Sequence, residues 1–323
     1  MSYMKKIISI IIFALFIADL SLFANPNIRV KYNFEQDLKE IMSDDMHRRG
    51  LNLESCSTMH QLVLKYFNTL RRIIPKQRYE IEISPNLKVK IQSLPKNLQD
   101  GIRSVISEAS SGVDLLPRHS RRIKNNDYSD PLLNDWGIFH LHLGASIESD
   151  GFINRTGELL YVYRHEEKLY LLDVLKHKWA DRNLVEVIHN NWPTAISKNR
   201  VADFNSVENV ATTDDIVSSL RNFGLTYIYK TKDGTAYTPL GGGYVTSGGS
   251  IESVIGSNTT IHWLKHMETS VDRDKEIFTD KIYKVTGKKL DSLNLKLIRH
   301  DGEFYILETQ VGVMYRVKFG YGN

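Results

Sequence analysis

The sequence predicts an α+β fold: a helical N-terminal part packed on an antiparallel sheet, followed by a β-rich C-terminal portion. Three observations predict it. Apolar residues recur at helical spacing through the first third of the chain, period-two alternation takes over at WGIFHLHL (residues 136–143), and glycine and turn signals crowd the region after position 200. At 323 residues, with 41% apolar and 25% charged residues, the chain is long enough to bury a substantial core and unlike a disordered one.

The elements follow in order. From Asn33 to Arg49 the apolar positions Phe34, Leu38, Ile41 and Met42 predict a helix. A second runs from Thr58 to Ile74, capped by Ser57 or Thr58 and stopped by Pro75, with Leu62, Tyr66, Phe67 and Leu70 on one side. RYEIEISPNLKVKIQSLP alternates across Ser84-Pro85-Asn86 and predicts a hairpin. Leu98 to Ser110 predicts another helix, and GVDLLPRHSRRIKNNDYSD a polar, basic connector. WGIFHLHLG then reads as a strand, and GELLYVYRHEEKLYLLDVLKH as two strands about the turn His165 to Lys168. RNLVEVIHNNWP has helical spacing at Leu184, Val187 and Ile188 and stops before Pro193.

Beyond position 200, LTYIYKTKDGTAYTPLGGGYVTSGGS predicts strands joined by glycine-rich turns, and the last residues a meander about Asp301-Gly302. A helix holding His262, Trp263 and His266 lies between them. The expected organisation is a leader at 1–25, an α+β domain over 26–197 and a β-rich domain over 198–323.

The leader has a basic start, Lys5 and Lys6, an apolar run Ile7–Ile17, and Ala24 before Asn25-Pro26, the shape of a secretory signal. Leu22 where a small residue is preferred, and Asp19 in the apolar stretch, leave two alternatives. One is a membrane anchor in contact with lipid through residues 7–23. The other is an upstream extension on a cytoplasmic protein. Cys56 is the single cysteine, which excludes an intramolecular disulfide and a cysteine-built metal cluster. Between positions 60 and 125 there are 13 Lys or Arg against 5 Asp or Glu, either a footprint for a polyanion or a solvated basic face.

In a strand, residues two apart face the same way, so Phe139, Leu141 and Leu143 point to the core while Ile138, His140 and His142 point away from it. On the later hairpin, Asp173, Leu175 and His177 share one face and Tyr170, Leu172 and Val174 the other. If that hairpin lies beside the histidine strand, His177 approaches His140 and His142. Three imidazoles admit metal-free acid–base chemistry, with His140 or His142 as base, His177 as acid, and Arg155 (or Arg164) as the cation that stabilises a developing oxyanion. They also admit zinc, with the same three histidines as ligands and Asp173 or Asp135 in support. The plain alternative is half-buried structural histidines.

Other features point less far. Gly241-Gly242-Gly243 and Ser247-Gly248-Gly249-Ser250 lack the Lys-Ser or Lys-Thr that opens the helix after a phosphate loop, so they read as strand connections. His262 and His266 have metal-ligand spacing but no intervening glutamate.

DWGIFHLHLG, FINRTGELLYVY, EKLYLLDVLKHKW and IHNNWP together resemble an uncharacterised group of bacterial proteins with the same order of strand, arginine, hairpin and His-Trp. The layout is also similar to the RelE/ParE-like toxin superfamily, small α+β ribonucleases or interaction modules. Arg155, Leu159–Tyr163, Leu169–Val174 and His177 match that plan over about 60 of the 323 residues. The resemblance implies a metal-independent endoribonuclease acting on RNA without a cofactor, and an antitoxin-like protein partner. The alternatives from the residues themselves are a non-catalytic exported or membrane-associated protein, and a zinc-dependent hydrolase.

Overall fold

The computed structural model describes residues 28–176, 181–202 and 213–317. Strand β1 (Arg29–Lys31) leads to helices α1 (Phe34–Arg48) and α2 (Met59–Leu70), strand β2 (Glu80–Ile83), and helices α3 (Pro85–Ile91), α4 (Lys96–Ser111) and α5 (Pro131–Trp136). Strands β3 (Ile138–His142), β4 (Glu158–His165) and β5 (Lys168–Lys176) precede helix α6 (Asn183–Asn191), short strand β6 (Arg200–Val201) and helix α7 (Asp214–Asn222). The chain continues through β7 (Tyr229–Lys230), β8 (Ala236–Tyr237), α8 (Ile251–Arg273), α9 (Lys275–Thr286), β9 (Ser292–His300), β10 (Glu303–Glu308) and β11 (Val313–Val317). The fold is α+β. Residues 1–25, where a leader with apolar residues 7–23 is expected, lie outside the described residues, as does His177. Among the described residues no helix is long and apolar enough to cross a membrane.

The chain divides into two compact units, and the division is not sequential. One unit joins residues up to Val63 with those from Ser257 onward; the other runs Leu64–Gly256. The expected break between 197 and 198 therefore falls inside the second unit. The cause is a long-range pairing: β1 lies parallel to β9, Val30 opposite Leu293, which local sequence does not announce.

In the first unit the sheet order is β1-β9-β10-β11. The predicted meander is present, and its turn places Asp301 and Gly302 at φ 49° and 81°, the left-handed pair a two-residue hairpin needs. Helix α1 starts where Asn33 accepts from the Gln36 amide and packs on β9, with buried Asp37 accepting from the Leu297 amide at 2.8 Å. The C-terminal portion is less β-rich than expected, because α8 and α9 occupy 23 and 12 residues of it. Helix α8 holds His262, Trp263 and His266, as expected, but its Ser, Thr, Asn, Ile and Val, residues of weak helix propensity, hide its full length from local reading.

The second unit has a sheet of order β2-β5-β4-β3. It is mixed rather than antiparallel, since β2 runs parallel to β5. The expected hairpin at 84–86 is a strand followed by a helix. Ser84 caps α3 by accepting from the Leu87 amide, and Pro85 supplies the fixed φ of the first helical turn. The β4–β5 hairpin forms as read, with Glu166 at φ 52° in its turn.

Both faces of this sheet are covered. Phe139, Leu141 and Leu143 join Leu160, Val162, Leu169 and Leu171 under α3 and α4. The opposite face buries Ile138, Leu159, Tyr161 and Tyr170 against α5, α6 and α7. Ile138 thus points into a second core rather than away from the only one. Helix α4 seats so closely on the sheet that a Cβ at Gly101 would stand 2.1 Å from the Leu143 carbonyl oxygen. A bulge corrects the expected faces of β5. Tyr161 pairs with Asp173 and Val162 with Leu171, so Leu172 is the extra residue. Past it the parity changes: Val174 joins the α3–α4 core, while Leu175 packs with Tyr170 and Leu172.

Candidate functional site

Helix α5 ends at Gly137, whose left-handed φ of 66° turns the chain directly into β3. Strand β3 is an edge of its sheet, and His140 and His142 share a parity on it, as alternation requires. Both are buried, at 6% and 5% exposure.

The hairpin does not bring β5 beside them. Strand β4 intervenes, with His142 opposite Leu159 and Leu159 opposite Leu175, so β3 and β5 are two strand spacings apart, about 10 Å. Arg155 is exposed in the connection between β3 and β4 and does not line the cleft beside the histidines. Asp173 pairs with Lys90 at 2.8 Å, and Asp135 is enclosed beside Arg221, so neither joins His140.

The imidazole that does join the pair is His119, from the segment read as a basic connector. Its Nε2 accepts from the Ile74 amide at 3.2 Å and its ring meets the Phe139 ring edge-on at 6.0 Å. Burial pushes its pKa down to about 3, with the neighbouring His140 and His142 adding repulsion. His119 is therefore neutral at pH 7, with its proton on Nδ1. No periodicity marks a histidine on a loop; only the contact with Phe139 reveals it.

Along the outer edge of β3 lies a small cleft of about 20 Å³, lined by Arg72, His119, Arg122, Tyr128, Asp130 and His140. Asp130 has two roles. One oxygen caps α5 by accepting from the Leu133 amide at 3.1 Å, and the other stands 3.9 Å from His140 Nδ1. The Tyr128 ring sits near both the Arg122 and Arg72 guanidinium groups, at 5.1 and 5.6 Å, and Arg122 donates to its hydroxyl at 3.2 Å. Burial, with help from Asp130, pushes the Tyr128 phenol up.

Arg72 is held from within. It donates to the carbonyls of Asn68, Arg122 and Asn125, and burial draws its pKa down to about 10, so it stays charged at pH 7. Arg118 is also buried, chelating Glu108 and donating to the His142 carbonyl at 3.2 Å.

These partners bear on the basic excess between positions 60 and 125. Arg72 and Arg118 are internal, Arg121 and Lys124 clamp Asp150, Lys96 and Arg103 meet Asp100, Arg71 meets Glu252, and Lys65 meets Asp127. Much of the excess is thus neutralised locally, not spread as a continuous track for a polyanion.

Among the described residues no three His, Cys, Asp or Glu side chains converge as a metal-binding group. His262 and His266 lie on α8 as predicted, with His266 Nδ1 3.5 Å from the Ser270 hydroxyl. Comparison of the chain with protein-family models, curated proteins and solved structures finds no match.

Proposed function

We propose that the Leu64–Gly256 unit carries a metal-independent acid–base site for phosphate esters, with RNA as the first substrate to test. The observation that carries the reading is the meeting of His140 with Asp130 in the same cleft as the Arg122–Tyr128 pair. His140 would act as base, its protonated form stabilised by Asp130. Arg122 would be the cation facing a developing phosphorane, in the role first expected of Arg155. Tyr128 would donate to the leaving oxygen. The toxin-like order of strand, arginine and hairpin supports RNA as substrate and an antitoxin-like protein as partner.

The test is cleavage of a short RNA by the full chain in EDTA. Retained activity that falls at least about a hundredfold in both His140→Ala and Arg122→Ala, with folding intact, supports the reading. Activity that EDTA abolishes supports the zinc hydrolase instead.

A second reading is favoured by the burial of both strand histidines and the size of the cleft. In it the imidazoles are structural, holding the 118–130 segment to the edge of the sheet in a non-catalytic exported or membrane-associated protein. Lowered melting temperatures for His140→Ala and His142→Ala, with no activity to lose, support it. N-terminal sequencing for cleavage after Ala24 tests export.

A further inference from the structure

The glycine-serine stretch 247–250 has a structural setting that its sequence does not reveal. It runs straight into the first turn of α8, where Ser250 Oγ accepts from the Ser253 amide at 3.4 Å and the Ser250 carbonyl accepts from the Val254 amide. A phosphate loop places its lysine at the start of the following helix, and this chain has none there. Across the cleft, α2 supplies one: Lys65, with Asn68 a turn later, lines the same cavity as Ser247, Gly248 and Ser253.

The cavity measures about 170 Å³, below the roughly 300 Å³ at which pockets for drug-sized ligands begin, so its ligand is small. Leu64, Val245 and Val254 give it an apolar side. Ser253 is 2% exposed and lines the cavity, yet its hydroxyl has no hydrogen-bond partner among the described residues. A buried hydroxyl is ordinarily satisfied, so this one is a donor waiting for an acceptor. The acid of the first turn, Glu252, does not line the cavity and is engaged by Arg71 at 3.1 Å.

We propose that this cavity binds a small phosphate monoester beside the positive end of α8, its oxygens taking the Ser253 hydroxyl and the Lys65 ammonium, its small apolar body resting on Leu64, Val245 and Val254. The aligned peptide dipoles at a helix start favour an anion, and lysine adds a point charge. Lys65 is held meanwhile by Asp127 at 2.8 Å, whose side chain is 63% exposed and able to swing away. Asp127 is thus a built-in competitor for the phosphate. The site is separate from the histidine cleft: in the segment dividing them, Asp127 and Ser129 line this cavity, while Tyr128 and Asp130 line the other.

The experiment titrates the full chain with inorganic phosphate in chloride buffer by calorimetry. Saturable one-to-one binding with Kd of about 1 mM or tighter is expected. Lys65→Met should weaken it about tenfold or more, and Ser253→Ala about threefold or more. Asp127→Asn should tighten it, an effect in the opposite direction that loss of structure would not produce. If Ser253→Ala lowers the melting temperature, Lys65→Met and Asp127→Asn decide the matter. Absence of saturable binding, wild-type affinity in Lys65→Met, or weaker binding in Asp127→Asn overturns the proposal. So does loss of binding in Arg122→Ala but not in Lys65→Met, which would place the phosphate in the histidine cleft.

Discussion

Mild acid should destabilise the Leu64–Gly256 unit, and His119 allows the size of the effect to be worked out. In the folded chain its pKa lies near 3, because burial disfavours the charged ring, with His140, His142 and Arg72 adding to the effect. In the unfolded chain it returns to about 6.5. The unfolded state therefore binds the extra proton between these values. The stability tied to neutral His119 is complete above pH 6.5 and is lost as pH falls from 6.5 towards 3. At pH 5.0 the loss is about 1.4 kcal/mol for each of roughly 1.5 pH units, or about 2 kcal/mol. The assay is urea unfolding at pH 7.5 and 5.0 for the wild type and for His119→Gln, whose amide oxygen can reach the Ile74 amide that His119 Nε2 now accepts. The wild type should lose about 2 kcal/mol more than the variant over this interval. Equal losses would refute the reasoning, since they would mean that His119 protonates without cost in the folded state.

Three further outcomes follow from packing. Asp135 and Arg221 form a buried pair at 2.9 Å, joined by the Tyr227 hydroxyl at 2.7 Å, with the guanidinium 4.1 Å from the centre of the Trp136 ring. Asp135→Asn should cost about 3–5 kcal/mol in a denaturant melt by stranding the arginine, whereas Asp135→Leu with Arg221→Met should recover most of the loss. Gly101→Ala should destabilise by about 1–3 kcal/mol despite the better helix former, because its Cβ would meet the Leu143 oxygen; a stabilised variant would mean that α4 stands further from β3. Ser84→Ala should cost about 1–2 kcal/mol, since Ser84 Oγ caps α3 and donates to the Leu172 carbonyl at 2.7 Å; an unchanged midpoint would argue against the cap.

Where a pattern is local, the sequence by itself determined the outcome. The helical spacing of α1, α2, α4 and α6, the β4–β5 hairpin and the terminal meander all appear where periodicity and turn residues put them. Alternation likewise places His140 and His142 on one side of β3. Ser84-Pro85 reads as a turn between strands but is a helix start, because a serine cap followed by proline serves that role as well as a turn.

Tertiary structure alone decided the rest. The strand order sets β4 between the histidine strand and β5, and the bulge at Leu172 resets which residues share a face. The parallel pairing of β1 with β9 joins segments more than 260 residues apart. The second core turns an apparently open face into an interior, and the edge of β3 gathers His119 and Asp130 from a segment with no periodic signature. The physical reason is range. Backbone sterics and side-chain period act over a few residues and are written in each segment, whereas burial, strand neighbours and the company of a charged group depend on surfaces that meet only when the whole chain has folded.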